Sequence, residues 1–199
     1  MVLGDSHICG GCEKCGDLKY TDDTCRAMTT NTIKHFLNYK AGNEKHEKWM
    51  NTFARFGNIF MNKSLNYEEI IEFWNSVIFY NFCQFSTNQA RKSPTNEEYK
   101  NSASAFFEVL EEYQPDFIIV WGNRAWDCMP SFGEYSTEIK INGVSGGKIY
   151  NYMLKSGLTI PTYKINHPSF SAFNYSWHPF ISLAIQYTED IKQIHPNID

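Results

Sequence analysis

Residues 93–122, SPTNEEYKNSASAFFEVLEEYQPDFIIVWG, contain one complete helix-to-strand unit. Thr95 is followed three positions later by Glu98, which is the pattern of a capping box at the start of a helix. Apolar residues then recur at helical spacing, and Pro115 marks the end of the helix because the residue before a proline disfavours helical backbone. The apolar run FIIVWG at 117–122 predicts a strand that is covered on both faces, as in a parallel sheet.

Three further apolar runs have the length of short strands. They are VLGD directly behind Met1, SVIFYNF at 76–82 and TYKINHP at 162–168. Alternation of such runs with helical segments predicts an α/β fold, a three-layer α/β/α sandwich around a short, mainly parallel central sheet. We expect residues 1–199 to form this single domain, and the Asn-Gly and Gly-Gly turn signals within 138–154 predict an inserted hairpin.

The composition limits the class of protein. The chain has 199 residues, of which 42% are hydrophobic and 20% charged, as in an ordinary globular protein. Its net charge of −4 argues against a protein that coats nucleic acid through a basic face, and is compatible with a small patch that contacts phosphates. No apolar run reaches the roughly 20 residues of a membrane helix, and the first residues lack a signal-peptide pattern. The sequence therefore predicts a cytoplasmic protein with no membrane partner. It leaves the oligomeric state open, with a monomer as the expectation.

Polar residues follow each of the four predicted strands. In a parallel sheet, ligands bind beyond the carboxyl ends of the strands. This rule selects four positions, Asp5-Ser6-His7, Asn81, Trp121-Gly122-Asn123 and His167-Pro168-Ser169. Any one of them alone is equally typical of a turn. Together they predict one crevice that contains an acid, an amide and a histidine.

The same segments resemble motifs of the uracil-DNA glycosylase superfamily. LGDSH at 3–7 and HPSF at 167–170 resemble its first and last motifs, IIVWGNRAW at 118–126 resembles a Trp-Gly segment of its classical branch, and NFCQFSTNQARKSPTNEE at 81–98 resembles its iron–sulfur branch. The resemblance implies a monofunctional DNA glycosylase that removes a damaged or modified base and leaves an abasic site. Asp5 directly follows Gly4 and precedes Ser6, and this arrangement departs from the classical motif. The resemblance therefore implies base excision more firmly than it implies that uracil is the base excised.

The implied roles follow from the chemistry of the bond. Breaking an N-glycosidic bond leaves positive charge on the sugar and negative charge on the departing base. Asp5 would stabilise the sugar cation, and His167 would donate a hydrogen bond to the base, with His7 as the rival for that role. A core or capping histidine is the alternative for His167. The residues implied to contact the base are Gly4, Ser6, His7, Phe60 and Asn81; Phe53, Phe56 and Phe60 are the candidate stacking rings, although their spacing is also that of a helix core.

The resemblance also implies a DNA-contacting edge of the sheet. Arg91 and Lys92 would contact phosphates, and Ser169 and Phe170 would enter the strand, with Phe170 or Phe173 filling the space of the extruded base. A charged loop kept only for solubility is the alternative for Arg91 and Lys92. Two other functions stay open, a protein of the same fold that acts on a free nucleoside or nucleotide, and a non-catalytic member that binds DNA or modified bases.

Four cysteines, Cys9, Cys12, Cys15 and Cys25, are spaced as C-x2-C-x2-C-x9-C. In a reducing compartment, four thiolates this close predict a metal site rather than disulfides. Structural zinc is favoured, with an iron–sulfur cluster as the alternative. The metal would fold the loop at 9–25 and hold Asp5 and His7 at the rim of the pocket.

Elemental analysis of the purified protein should therefore find about one zinc per chain. Cys12→Ser should lower both stability and activity, because binding of a structural metal is part of the folding free energy. A brown protein with strong visible absorption would replace zinc by an iron–sulfur cluster, and a metal-free protein would contradict both.

Overall fold

A computed structural model describes residues 1–8, 27–84, 86–87, 93–130 and 148–194. Within these ranges the chain is an α/β protein with one five-stranded sheet of order β2-β1-β3-β5-β4. The strands are β1 (Val2–Gly4), β2 (Phe79–Asn81), β3 (Ile118–Trp121), β4 (Lys148–Met153) and β5 (Thr159–Ile165). The mainly parallel central sheet that the sequence predicts is confirmed.

The described helices connect the strands and cover both faces of the sheet. They are α1 (Met28–Lys40), α2 (Met50–Phe60), α3 (Tyr67–Asn75), α4 (Asn96–Tyr113), α5 (Asn123–Cys128) and α6 (His178–Ile194), and a 3₁₀ turn at Tyr175–Trp177 precedes α6. The predicted capping box at Thr95 and Glu98 is present and begins α4. In the described parts of the chain, no helix has the length and apolarity needed to cross a membrane.

Four strands run in the same direction, so their carboxyl ends meet at one edge of the sheet. β1 pairs in parallel with β2, where Gly4 is opposite Asn81, and with β3, where Val2 is opposite Ile119. β3 in turn pairs in parallel with β5, where Trp121 is opposite Ile165. This register brings the predicted site segments to the same edge.

The predicted hairpin at 138–154 is described only from residue 148 onwards. That part forms β4, which is an antiparallel strand of the central sheet and pairs with β5. The turn between β4 and β5 lies at 154–158, where the amide of Leu154 donates to the carbonyl of Leu158 and Gly157 has φ of +86°. Gly157 suits this turn because a positive φ strains residues that carry a Cβ.

Alternating side chains of the strands form two separate cores. Val2, Ile119 and Tyr163 pack on one face of the sheet against helices α1, α2, α3 and α6. Leu3, Ile118 and Val120 pack on the other face against α4 and α5. The three-layer α/β/α sandwich is therefore confirmed, and it leaves the carboxyl edge of the sheet free to carry a site.

Candidate active site

A cleft of about 1010 Å³ lies at the carboxyl edge of the sheet. It is where a parallel α/β sheet is expected to bind ligands. Most residues that the sequence assigns to base, sugar or DNA contact line this cleft: Gly4, Asp5, Ser6, His7, Asn81, His167, Ser169 and Phe170. The segments after β1, β2, β3 and β5 are thus brought together.

Asp5 is buried at the end of β1, and both of its carboxylate oxygens have partners. The hydroxyl of Tyr99, on α4, donates to Oδ1 at 2.5 Å. The guanidinium of Arg124, on α5, forms an ion pair with Oδ2. Burial and the hydrogen bond to Asp5 raise the pKa of Tyr99, so Tyr99 stays protonated and remains a donor. These contacts fix the orientation of a carboxylate that also lines the cleft.

His167 follows β5 and is half-buried beside the cleft. The backbone N–H of Ser169 donates to its Nδ1 at 3.2 Å, and the Ser169 hydroxyl lies 2.8 Å from the same nitrogen. Because a backbone N–H can only donate, Nδ1 is an acceptor and the neutral ring carries its proton on Nε2. Burial lowers the pKa of His167, and the charge of Asp5 partly opposes this effect. His167 is therefore a neutral Nε2–H donor at neutral pH.

The loop at 167–170 is held by contacts from other elements. Arg55, on α2, donates to the carbonyls of Pro168 at 3.1 Å and Phe170 at 3.2 Å. Gly122 has φ of +91°, and a Cβ there would lie 3.2 Å from the Cβ of His167, so a glycine allows this close approach. Phe170 is 65% exposed on this anchored loop.

Asn81 ends β2 directly beside Gly4. Its side chain is buried, and Nδ2 donates a long hydrogen bond of 3.4 Å to Oγ1 of Thr29. A Cβ on Gly4 would overlap Oδ1 of Asn81 and would lie 3.4 Å from the ring of Phe79. The amide of Asn81 therefore occupies space that only a glycine at position 4 leaves free.

Gly4→Ala should displace the Asn81 amide and destabilise the protein by about 1–3 kcal/mol, the usual cost of overpacking a well-filled site. Thermal unfolding and a ligand-binding or excision assay on the same preparation would measure both effects. Gly57→Ala, on α2, is the matched control because its added Cβ meets Leu65 and Phe73 in the core, away from the cleft. Equal loss of function in both variants would contradict a specific role for Gly4.

His7 also lines the cleft, and its side chain is only 7% exposed. Neither ring nitrogen has a hydrogen-bond partner among the residues that the structure describes. Burial lowers the pKa of His7 to about 4, so its ring is neutral at neutral pH. His7 can therefore contact a ligand as a neutral ring.

Three aromatic rings form an apolar wall of the cleft. Phe53, Phe79 and Trp121 line it, with ring centroids 5.2 Å apart for Phe53 and Phe79 and 5.6 Å apart for Phe53 and Trp121. Flat, rigid side chains of this kind can hold a planar heterocycle. Of the three phenylalanines in the α2 pattern, Phe53 is the one at the cleft.

The structure does not bring Phe60, which the sequence assigns to base contact, to the cleft. Phe60 packs against Phe56 and Phe73, with centroids 5.8 Å and 5.3 Å away, and does not line the cleft. The cleft contacts the first turn of α2, and Phe60 lies seven residues beyond Phe53, which is about 10 Å along a helix. Phe173 is likewise buried in the core, so it cannot enter a nucleic-acid strand.

Two residues that the sequence analysis did not place in the site hold Asp5. Tyr99 has the helical spacing of a core residue, and its ring is indeed buried. Its hydroxyl nevertheless reaches a carboxylate 94 residues away, which no local pattern indicates. Arg124 lies one residue beyond the selected Trp121-Gly122-Asn123 segment, so the rule on strand ends extended by one position would have found it.

Several predicted site residues lie outside the described ranges. They are the four cysteines Cys9, Cys12, Cys15 and Cys25 and the basic residues Arg91 and Lys92. In the described parts of the chain, no group of three or more His, Cys, Asp or Glu side chains is arranged to hold a metal ion. The zinc and phosphate assignments of these six residues therefore stay predictions.

No protein-family model matches the chain, and comparison with curated proteins finds no similar one.

Proposed function

We propose that this protein is a monofunctional DNA glycosylase, similar to the uracil-DNA glycosylase superfamily, that hydrolyses the N-glycosidic bond of a damaged or modified base. The observation that carries the proposal is the pairing of Asp5 and His167 in one cleft at the carboxyl edge of the sheet. Both residues line the cleft, and the charge of Asp5 partly opposes the lowering of the His167 pKa by burial. A fixed carboxylate and a neutral imidazole donor are the two groups that this bond cleavage needs.

In the proposed reaction the bond from C1′ to the base nitrogen breaks, and both bonding electrons leave with the base. Asp5 stabilises the positive charge that develops on the sugar and orients a water, whose oxygen bonds to C1′ and whose proton is lost to solvent. Nε2–H of His167 donates to the base oxygen on which negative charge accumulates. Hydrogen bonding by preorganised groups of this kind lowers the barrier because they need no rearrangement during the reaction.

The aromatic wall and Asn81 support recognition of an extruded base. A base flipped out of the stack can lie against Phe53, Phe79 and Trp121, while the amide of Asn81 offers both a donor and an acceptor to its edge. Exposed Phe170, on the loop that Arg55 anchors, is suited to fill the vacated stack. The proposal also includes a loop at 9–25 that binds zinc and a cytoplasmic location for the protein. The two belong together because thiolate ligands persist in a reducing compartment.

The proposal is tested by incubating the protein with oligonucleotides that carry a panel of modified bases, single- and double-stranded, followed by alkaline cleavage and gel analysis. We expect strand cleavage at one class of modified base, and much slower cleavage with Asp5→Asn. Binding to these oligonucleotides without cleavage of any of them would favour a non-catalytic DNA-binding protein instead.

A second candidate is hydrolysis of a free nucleoside or nucleotide in the same cleft. It is favoured by the net charge of −4 and by the engagement of Arg55 in contacts within the protein. Release of base from free nucleosides, with no product from oligonucleotides, would establish this candidate and contradict the first.

A further inference from the structure

Arg124 connects the buried carboxylate of the site to the open cleft. Its Nη2 is paired with Asp5, and its Nη1 donates to the hydroxyl of Ser93 at 2.6 Å. The side chain of Arg124 is 47% exposed and lines the cleft, whereas that of Asp5 is 9% exposed. One end of the ion pair is therefore fixed in the protein, and the other is accessible to a ligand.

Arg124 and Ser93 carry hydrogen-bond donors that have no partner among the described residues. A guanidinium carries five N–H donors in one plane, and the contacts to Asp5 and Ser93 use two of them. The described residues supply no partner for the other three. The Ser93 hydroxyl is exposed and accepts from Arg124, so its own proton can be donated outwards. Planar guanidinium donors beside a hydroxyl match the oxygens of a phosphate.

The start of helix α4, next to Ser93, does not supply this site. Glu97 and Glu98 occupy its first turn, and Glu98 accepts hydrogen bonds from the backbone N–H of Thr95 at 2.6 Å and from its hydroxyl at 2.9 Å. Carboxylates at the helix end repel an anion. Among the residues that the structure describes, the side chains of Arg124 and Ser93 are the groups that would hold a phosphate bound here.

We propose that Arg124 and Ser93 bind the backbone phosphate that flanks the target nucleotide. This inference rests on the proposed function and adds which side chains hold the phosphodiester backbone beside the target nucleotide. The same guanidinium contacts the phosphate and Asp5, so it fixes the sugar of that nucleotide relative to the carboxylate. Arg124 thereby acts as a specificity residue for nucleotides within a strand over free nucleosides.

The test uses a fluorescent oligonucleotide with a tetrahydrofuran abasic analogue, which binds whatever the excised base is. We expect Arg124→Gln to weaken binding about tenfold, the scale of one hydrogen-bonded charged contact. The slope of log K against log salt should fall by about one, because one phosphate contact is lost. Ser93→Ala should weaken binding less and leave the slope unchanged, since it removes no charge. Lys63→Gln is the matched control, because it removes an exposed, ion-paired cation away from the cleft.

Wild-type affinity and slope in Arg124→Gln would overturn the inference, and continued excision by that variant would leave the proposed function intact. Weakened binding of a free nucleoside monophosphate, with unchanged oligonucleotide binding, would also overturn it. If the wild-type protein shows the Arg124-dependent slope but excises no base, the phosphate site stands and the proposed function fails. Should Arg124→Gln unfold, Arg124→Lys and Ser93→Ala carry the test; unaltered binding in both would overturn the inference.

Discussion

Asp5→Asn is expected to slow single-turnover excision by about 10²–10³-fold, the usual cost of losing one preorganised group that stabilises transition-state charge. DNA affinity should change little, because the amide has the shape of the carboxylate: its oxygen can still accept from Arg124, and its NH2 group can donate to the oxygen of Tyr99. The rate would be measured by rapid quench with enzyme in excess over the oligonucleotide that the base panel identifies.

Asp116→Asn is the matched control for this variant. Asp116 is an exposed surface residue, paired with Lys192, and the same atoms change without touching the cleft. Its excision rate should equal that of wild type. A fully active Asp5→Asn protein would show that the catalytic interpretation of the GDSH segment is wrong.

His167→Ala should produce the second large effect, about 10²–10³-fold in rate for a base that is a poor leaving group. The loss should be smaller for a good leaving group, because the hydrogen bond from Nε2 matters in proportion to the negative charge left on the base. Single-turnover rates on two substrates, a pyrimidine and its 5-fluoro derivative, would measure the difference. His46→Ala, which changes an exposed histidine that does not line the cleft, should leave both rates unchanged.

His7 is the competing donor, since it lines the same cleft and its ring nitrogens lack partners among the described residues. We expect His7→Ala to lack the larger loss on the poor leaving group that His167→Ala shows. If His7→Ala abolishes excision and His167→Ala is close to wild type, the two histidines have been assigned the wrong way round.

The sheet could be predicted because its strands are short apolar runs covered on both faces, and the capping box at Thr95 fixed the start of α4. The bounds of β5 and the turn between β4 and β5 could not be predicted. The prediction begins the last parallel strand at residue 162, whereas β5 begins at Thr159 and includes Pro161, a residue that usually interrupts strands. The predicted turn signals lie within 138–154 and before the described part of that segment, whereas the turn that joins β4 to β5 lies at 154–158 and contains Gly157.

The positions of Asp5, Asn81 and His167 could be predicted because chain direction alone brings the carboxyl ends of parallel strands together. Their partners could not be predicted, since Tyr99 and Arg124 reach Asp5 across 94 and 119 residues. Contacts of this kind depend on how α4 and α5 pack on the sheet. The position of Phe60 away from the cleft has a similar cause, because helical spacing identifies the face of α2 but not which of its turns borders the cleft.

Hydrolysis of an N-glycosidic bond in DNA is tested most directly by quantifying both products of one reaction. Mass spectrometry would measure the free base released, and alkaline cleavage would measure the abasic strand, from the substrate that the panel identifies. We predict equal amounts of the two products with the wild-type protein, and formation of both about 10²–10³-fold more slowly with Asp5→Asn. Abasic strand without free base, or release that is equally fast with Asp5→Asn, would contradict the account.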